Sequence, residues 1–320
     1  LRYRASCGPA GHLLARAGVY RQARRLADVG GRVRAPVSVI TRGTTNPNRL
    51  RRVDRWLAGP QGWRLRRAER PVVVDLGFGA TPVTAVELLE RLRRVRDDVE
   101  VVGVEVDPAR VAVAAPLARP GLRFATGGFE VPVDDGLRPV VVRAFNVLRQ
   151  YAEAEVEPAW WTLRRRLAPG GLLIDGTCDE IGRRACWVAV TAEDGPVSLT
   201  VSTRLAGLQR PSELAERLPK ALIHRNVPGE RVHAFLSALD GTWARAAPLA
   251  VFGARQRWQA AAGTLRDAGW PVLDGPGRWR LGELTVAWDA VRPGAGPAGD
   301  RSGGRPVRRE TEGAGDVPAV

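Results

Sequence analysis

The chain has 320 residues, 44% of them hydrophobic and 26% charged, enough to bury a large core and unlike a disordered or fibrous composition. Its apolar runs are five to eight residues long, too short to span a bilayer. Of the formal charge of +15, residues 1–70 carry +14, with seventeen Arg against Asp28, Asp54 and Glu69, so a basic arm precedes a nearly neutral body.

In chain order, residues 1–36 read as a disordered basic extension. Residues 37–40 are a short apolar segment, and Asn46-Pro47 marks a turn. Residues 49–57 place Leu50, Val53 and Leu57 at helical spacing with Asn48 as N-cap, so 37–70 is expected to lie over the body as a helical segment. From residue 71 strands and helices alternate. Strands are predicted at 72–76, 101–106, 122–125, 139–144 and 172–175, and helices at 83–95, 108–117 and 158–167. Val83, Val86, Leu89 and Leu92 form the apolar stripe of the helix at 83–95. Two further strands, 185–191 and 198–205, are joined by a hairpin at Asp194-Gly195-Pro196. The pattern predicts a doubly wound α/β domain over 71–208, with seven strands, mostly parallel, and one antiparallel strand near an edge. Residues 209–290 read as a mainly helical C-terminal lobe with helices at 213–222, 230–246 and 255–268 and a final hairpin around Trp279–Trp288. Residues 291–320 read as a disordered tail.

Cys7, Cys178 and Cys186 do not make a disulfide framework, and with His12, His224 and His233 they match no zinc spacing, so no metal is expected. No secretory apolar segment is present at the N-terminus, and the expected compartment is the cytoplasm. Lys220 is the only lysine. The arginine bias is therefore also what GC-rich coding produces, and it weakens the inference from the basic arm to a nucleic-acid partner.

The string Asp75-Leu-Gly77-Phe78-Gly79-Ala-Thr81-Pro82 follows the first strand and opens a helix. Thr81 is placed as N-cap and Pro82 at the first helical position. A glycine-rich turn in this context brings backbone close to a ligand beside a helix N-terminus. A dinucleotide fingerprint requires a third glycine where Pro82 stands. The second strand ends Val104-Glu105-Val106-Asp107-Pro108, and Leu167-Ala-Pro-Gly-Gly171 precedes the fifth.

These three elements, in this order across about residues 70–205, resemble class I S-adenosylmethionine-dependent methyltransferases. Thr81 stands where the family's first motif has its third glycine. The resemblance implies a Rossmann-like sheet and S-adenosyl-L-methionine as cofactor. Asp75, Gly77, Phe78, Gly79 and Thr81 would surround the methionine end. Glu105, with Asp107 second, would take the ribose, and Phe129 and Glu130 would lie by the adenine. Asn146, after the fourth strand, would face the sulfonium and the acceptor. Some of the residues near these strand tips have a structural alternative. Asp107 serves as a helix cap, Phe129 as a core ring, and Arg149 and Tyr151 as surface residues. Asn146 and Glu180 are the catalytic candidates, Asp179 and Glu180 being possible acceptor-proton bases or solvated loop acids. Cys178 reads mainly as a small buried residue.

The expected activity is methyl transfer to an acceptor that is a small molecule, RNA or protein. A non-catalytic RNA-binding protein using residues 1–70 and a nicotinamide-dependent oxidoreductase are the alternatives. Trp243, Trp258, Trp270, Trp279 and Trp288 read first as core. Residues 42–57 and the helical lobe are the candidate walls over the acceptor.

Overall fold

The computed structural model describes residues 45–134 and 136–294. The extension expected over 1–36, the apolar segment at 37–40 and residues 295–320 of the expected tail lie outside the described residues. Eight strands form one sheet: β1 (Val72–Leu76), β2 (Glu100–Glu105), β3 (Leu122–Thr126), β4 (Val141–Phe145), β5 (Leu172–Cys178), β6 (Arg184–Thr191), β7 (Gly195–Thr203) and β8 (Glu283–Ala287), in the order β3-β2-β1-β4-β5-β6-β7-β8. The first five are parallel, and β6, β7 and β8 follow antiparallel to their neighbours. Every residue of β1 and β4 is buried, as expected for central strands covered on both faces.

Among the described residues the α-helices are α1 (Arg51–Ala58), α2 (Gly62–Arg67), α3 (Val83–Leu92), α4 (Pro108–Ala114), α5 (Val156–Arg164), α6 (Lys220–Ile223), α7 (Arg231–Arg245), α8 (Ala254–Asp267) and α9 (Pro276–Trp279). One apolar cluster joins Val73, Val141, Ile174 and Trp187 of the sheet to Val53, Trp56, Leu65, Leu88 and Leu92 of α1, α2 and α3. On the opposite face Val74, Val142, Leu173 and Val188 share a cluster with Trp160, Phe235, Leu239, Trp258 and Leu265 of α5, α7 and α8. Trp243, Trp258 and Trp279 belong to this core, and Trp270 and Trp288 pack at its margin.

Several local expectations are corrected. The eighth strand comes from the region read as a terminal hairpin. It pairs with β7, from Ser198 opposite Ala287 to Ser202 opposite Glu283, covering an edge that β7 would otherwise expose. In α3 the buried stripe is Ala85, Leu88, Leu89 and Leu92, together with Thr84, rather than the row beginning Val83 and Val86. Thr84 turns inward because its hydroxyl donates to buried Asp75. Leu50, not Asn48, occupies the N-cap position of α1, and Asn48 sits in the preceding turn at φ 60°. Likewise Pro82, not Thr81, is the N-cap residue of α3, and Thr81 is exposed.

One buried acid lies beneath α5. Asp175 on β5 accepts the Trp160 indole N–H at 3.0 Å, and burial pushes its carboxyl up to about 7. Its folded-state affinity for a proton exceeds that of the unfolded chain, where an Asp titrates near 3.9. Its contribution to stability is therefore full below about pH 4 and is lost as the pH rises through about 7. Asp274, pushed up to about 6 by burial, adds a slope of the same sign. Urea denaturation at pH 5 and pH 8 should show the wild type losing on the order of 2–4 kcal/mol more over this interval than Asp175→Asn. Equal pH dependence in the two proteins would contradict the assignment.

Candidate functional site

The strand order reverses between β1 and β4: β2 and β3 build outward on one side of β1, and β4 and β5 on the other. In an open α/β sheet such a switch point leaves a crevice at the carboxyl ends of the strands. A narrow cleft with about 30 Å³ of enclosed space opens here, lined by Asp75, Gly77 and Gly79 from the β1 end and by Phe145 and Asn146 from the β4 end. Thr45, Arg49 and Leu50, just before α1, form its outer wall. Of the two candidate walls, the described part of the 42–57 segment thus borders the cleft, whereas the C-terminal helices do not line it.

Beneath the cleft lies a buried charge network. Arg143 on β4, with a fully buried side chain, stands beside Asp75 in register, and its Nε donates to Asp75 Oδ1 at 3.0 Å. Its Nη2 donates to the Thr84 carbonyl at 3.0 Å, and its Nη1 to Asp54 of α1. Arg91 of α3 also pairs with Asp54. Burial opposes the guanidinium's charge, but Asp54 and Asp75 outweigh it and hold Arg143 protonated above its ordinary range. Asp75 Oδ2 accepts the Thr84 hydroxyl at 2.8 Å. The first motif's carboxylate is therefore committed to shaping the turn and anchoring α1, at the floor of the cleft.

Above that floor Gly77 and Gly79 have φ of 70° and 84°, left-handed conformations that favour glycine. Glu105, at the tip of β2, accepts the Gly79 N–H through Oε2 at 2.9 Å and the Val106 N–H through Oε1 at 3.0 Å. Arg110 lies 3.6 Å from Oε2. The two motifs, 26 residues apart in sequence, meet through this bond. Phe78 is buried, its ring edge-on to Phe124 at 5.5 Å. An acidic acceptor next to a glycine backbone at the switch point fits the hydroxyl-bearing sugar of a nucleoside. The glycine turn lining the cleft thus suits the cofactor implied by the resemblance, and Asp75 sets that turn, whereas Glu105, with a fully buried side chain, ties the turn to β2 without lining the cleft.

Other sequence candidates separate here. Asp107 caps α4, accepting the Ala109 N–H at 2.9 Å with Pro108 following it. Phe129 is buried in the core, its ring 5.3 Å from Tyr151. Glu130 accepts the Gly128 N–H at 2.8 Å. Asn146 lines the cleft at φ 60°, and its Oδ1 accepts the Cys178 N–H at 3.1 Å, tying the tips of β4 and β5 together. Burial raises the Cys178 thiol, as expected of a packing residue and not of a nucleophile. Asp179 organises the next loop by accepting the backbone N–H groups of Ile181, Arg183 and Arg184. Glu180 is exposed and does not line the cleft.

Sequence reasoning passed over Arg143, Asp54, Thr84 and Arg49. Arg143 had a signal, as one charge within the apolar run Val140-Val-Val-Arg-Ala-Phe145, since a fully buried arginine requires an acid partner. The arginines of residues 45–70 serve mainly as internal ties. Arg49 and Arg51 donate to the carbonyls of Asp179 and Ile181, Arg52 is buried against the Gly182 carbonyl and Ser202, Arg55 pairs with Glu283, and Arg70 with Glu100.

No family profile and no curated protein sequence matches the chain. Among solved structures, the CMeT domain of the citrinin polyketide synthase aligns at 24% identity and TM-score 0.29, over 33% of this chain and 28% of its own length. CalS10, an S-adenosylmethionine-bound amino pentose methyltransferase from Micromonospora echinaspora, aligns at 18% identity and TM-score 0.27, over 63% of this chain and 72% of its own. The [4+2]-cyclase SpnF aligns at 18% and 0.30, over 50% and 55%. The chain thus spans between about a quarter and three quarters of the lengths of these structures.

Two outcomes test the site's construction. Arg143→Met should cost roughly 3–5 kcal/mol in urea denaturation by leaving Asp54 and Asp75 buried without their shared cation, and adding Asp54→Asn and Asp75→Asn should recover part of it. An unchanged midpoint in the single variant would contradict the network's role. At Asn146, substitution by Val should cost about 1–2 kcal/mol more than substitution by Gly, because only Gly is at ease at φ 60°. Equal melting temperatures of the two variants would contradict strain at this position. The strand order, the switch-point cleft and the glycine turn meeting an acid from β2 together make this a Rossmann-like α/β fold built on one mostly parallel sheet.

Proposed function

We propose that the chain binds S-adenosyl-L-methionine in the switch-point cleft and transfers its methyl group to an acceptor that approaches beneath the Thr45–Leu50 wall. The observation that carries this reading is the 2.9 Å bond between the Glu105 carboxylate and the Gly79 N–H, which brings both cofactor-linked motifs to one place. When bound, the cofactor supplies an already activated methyl: the acceptor's lone pair forms the new bond to carbon as the carbon–sulfur bond breaks and its electrons return to sulfur. The protein's share is alignment and exclusion of water, which requires no fixed catalytic triad. Glu105 ties the glycine turn to β2, Gly77 and Gly79 admit the ligand to backbone, and the buried Arg143–Asp75–Thr84 cluster keeps the turn in its binding shape. Asn146, held at the tip of β4 by Cys178, supplies a polar side chain to the wall where methyl and acceptor meet. Exposed Glu180 is tied to the wall through its carbonyl, which accepts the Asn46 side-chain N–H at 2.9 Å, but does not line the cleft, so acceptor deprotonation, where the acceptor requires it, falls to solvent or to the acceptor's own groups.

The oxidoreductase alternative finds little support in a turn whose third glycine position is Pro82. Calorimetric titration of the wild type should give binding of S-adenosylmethionine and none of NAD or NADP. Glu105→Ala should weaken that binding by about 10- to 100-fold, the loss expected for charge-assisted hydrogen bonds. Binding of the nicotinamide nucleotides alone, or wild-type affinity in a folded Glu105→Ala protein, would overturn the reading.

A further inference from the structure

A pocket of about 410 Å³ opens on the α5 face of the sheet and shares no lining residue with the cleft. That volume falls within the range of small-molecule sites. Trp160 of α5, Ala221 of α6 and Trp288 after β8 give it apolar walls, and Glu153, Glu157 and Arg225 bring charge to it. Trp160 and Trp288 meet edge to face with ring centroids 5.8 Å apart. The Trp160 indole N–H is spent on buried Asp175, so this ring brings hydrocarbon and not a donor to the wall.

The charges divide unevenly. Arg225 donates from Nε to Glu153 at 2.6 Å and from Nη1 to Glu230 at 3.3 Å, and Glu230 also accepts the Gly294 N–H at 2.9 Å. The cation of the lining is therefore committed to two carboxylates. Of the cations that flank lining residues in the chain, Lys220 meets His224 Nε2 at 3.1 Å and Arg292 pairs with Asp289 at 3.1 Å. Glu157, exposed on the first turn of α5, is left with no ion pair or side-chain hydrogen bond among the described residues. An adjoining hollow shares Glu157 and Trp160, but it has Arg164 in its wall and Arg165 lying 4.6 Å from the Trp161 ring, a setting that repels a further cation. Only the pocket beside Trp288 combines the unpaired carboxylate with a lining in which acids outnumber bases. A carboxylate at the edge of an indole-walled cavity favours a cation that carries its own hydrocarbon, since aromatic walls accept both the apolar body and the charge.

From this combination we propose that the pocket binds a small organic cation, an amine whose hydrocarbon body lies against Trp160 and Trp288 and whose ammonium group pairs with Glu157. The site is independent of the cofactor reading.

Fluorine-19 NMR of 4-fluorophenethylamine with the full chain at neutral pH tests it, with 2-(4-fluorophenyl)ethanol and 4-fluorophenylacetate as uncharged and anionic comparison compounds. The amine signal should broaden and shift saturably, with an affinity about fivefold better than that of the alcohol, the preference expected from one partly solvated ion pair. Glu157→Gln should remove that preference and leave binding of the alcohol unchanged. Ala154→Trp, at an exposed position that lines this pocket and not the adjoining hollow, should abolish binding of the amine. Glu157→Gln carries the test alone if the tryptophan variant fails to fold. No saturable binding, equal affinity for amine and alcohol in the wild type, or a preference that survives Glu157→Gln would each overturn the proposal. Amine binding untouched in a folded Ala154→Trp protein, or tighter binding of the acetate, would do so as well.

Discussion

The guanidinium of Arg143 is the constraint around which the functional end of this protein is arranged. It is a full charge inside the sheet, and removing a charge from water is tolerable only where opposite charge and hydrogen bonds replace the lost solvent. Asp75 supplies one carboxylate from the neighbouring strand, Asp54 the other from α1, and the Thr84 carbonyl completes the shell from the first turn of α3. Three elements distant in sequence are thereby fixed to one point. The network lies directly under the glycine turn, so the geometry that holds α1 down is also the geometry that shapes the cleft floor. Such a cluster need not add net stability over a well-packed apolar core, but breaking one member is expensive, and that makes the arrangement specific.

Above this floor the site is built largely from backbone. Gly77 and Gly79 adopt conformations that other residues avoid, and Glu105 holds the second of them by its N–H. Asn146 is held in a left-handed conformation of its own by pairing with the Cys178 backbone. Gly176 belongs to the same construction, since a Cβ there would stand 2.3 Å from the Phe145 ring that packs across it. The cleft wall formed by Thr45, Arg49 and Leu50 is tied to the loop after β5, with Arg49 donating to the Asp179 carbonyl at 3.0 Å. The floor and the outer wall of the cleft are thus mechanically joined through α1 and this loop.

Much of this was legible in the sequence, and the misses have physical causes. The five parallel strands were readable because each is a short apolar run bounded by turn residues, and the Asp75–Gly79 turn because glycine and carboxylate recur at fixed offsets. The position of β8 was not readable, because a strand adding to a distant edge has no local signature; only the uncovered side of β7 calls for it. The inward turn of Thr84 was hidden because a threonine in a helix reads as surface until its buried partner is known. Asp107 read equally well as ligand or cap, and the Ala109 N–H decides for the cap. The basic region over residues 1–70 read as a possible polyanion surface by composition; of its arginines within the described residues, Arg49, Arg51, Arg52, Arg55 and Arg70 are occupied with carbonyls and carboxylates of the chain itself.

The central claim is that the glycine turn and the tip of β2 together form the seat of a nucleoside cofactor. Backbone hydrogen exchange, followed residue by residue with and without saturating S-adenosylhomocysteine, tests it most directly. The account predicts that slowed exchange is concentrated at Gly77–Gly79 and at Val106 and Asp107, with smaller changes at Asn146 and little along β7 and β8. Protection confined to any other part of the sheet, or none at ligand concentrations that saturate a calorimetric titration, would contradict it.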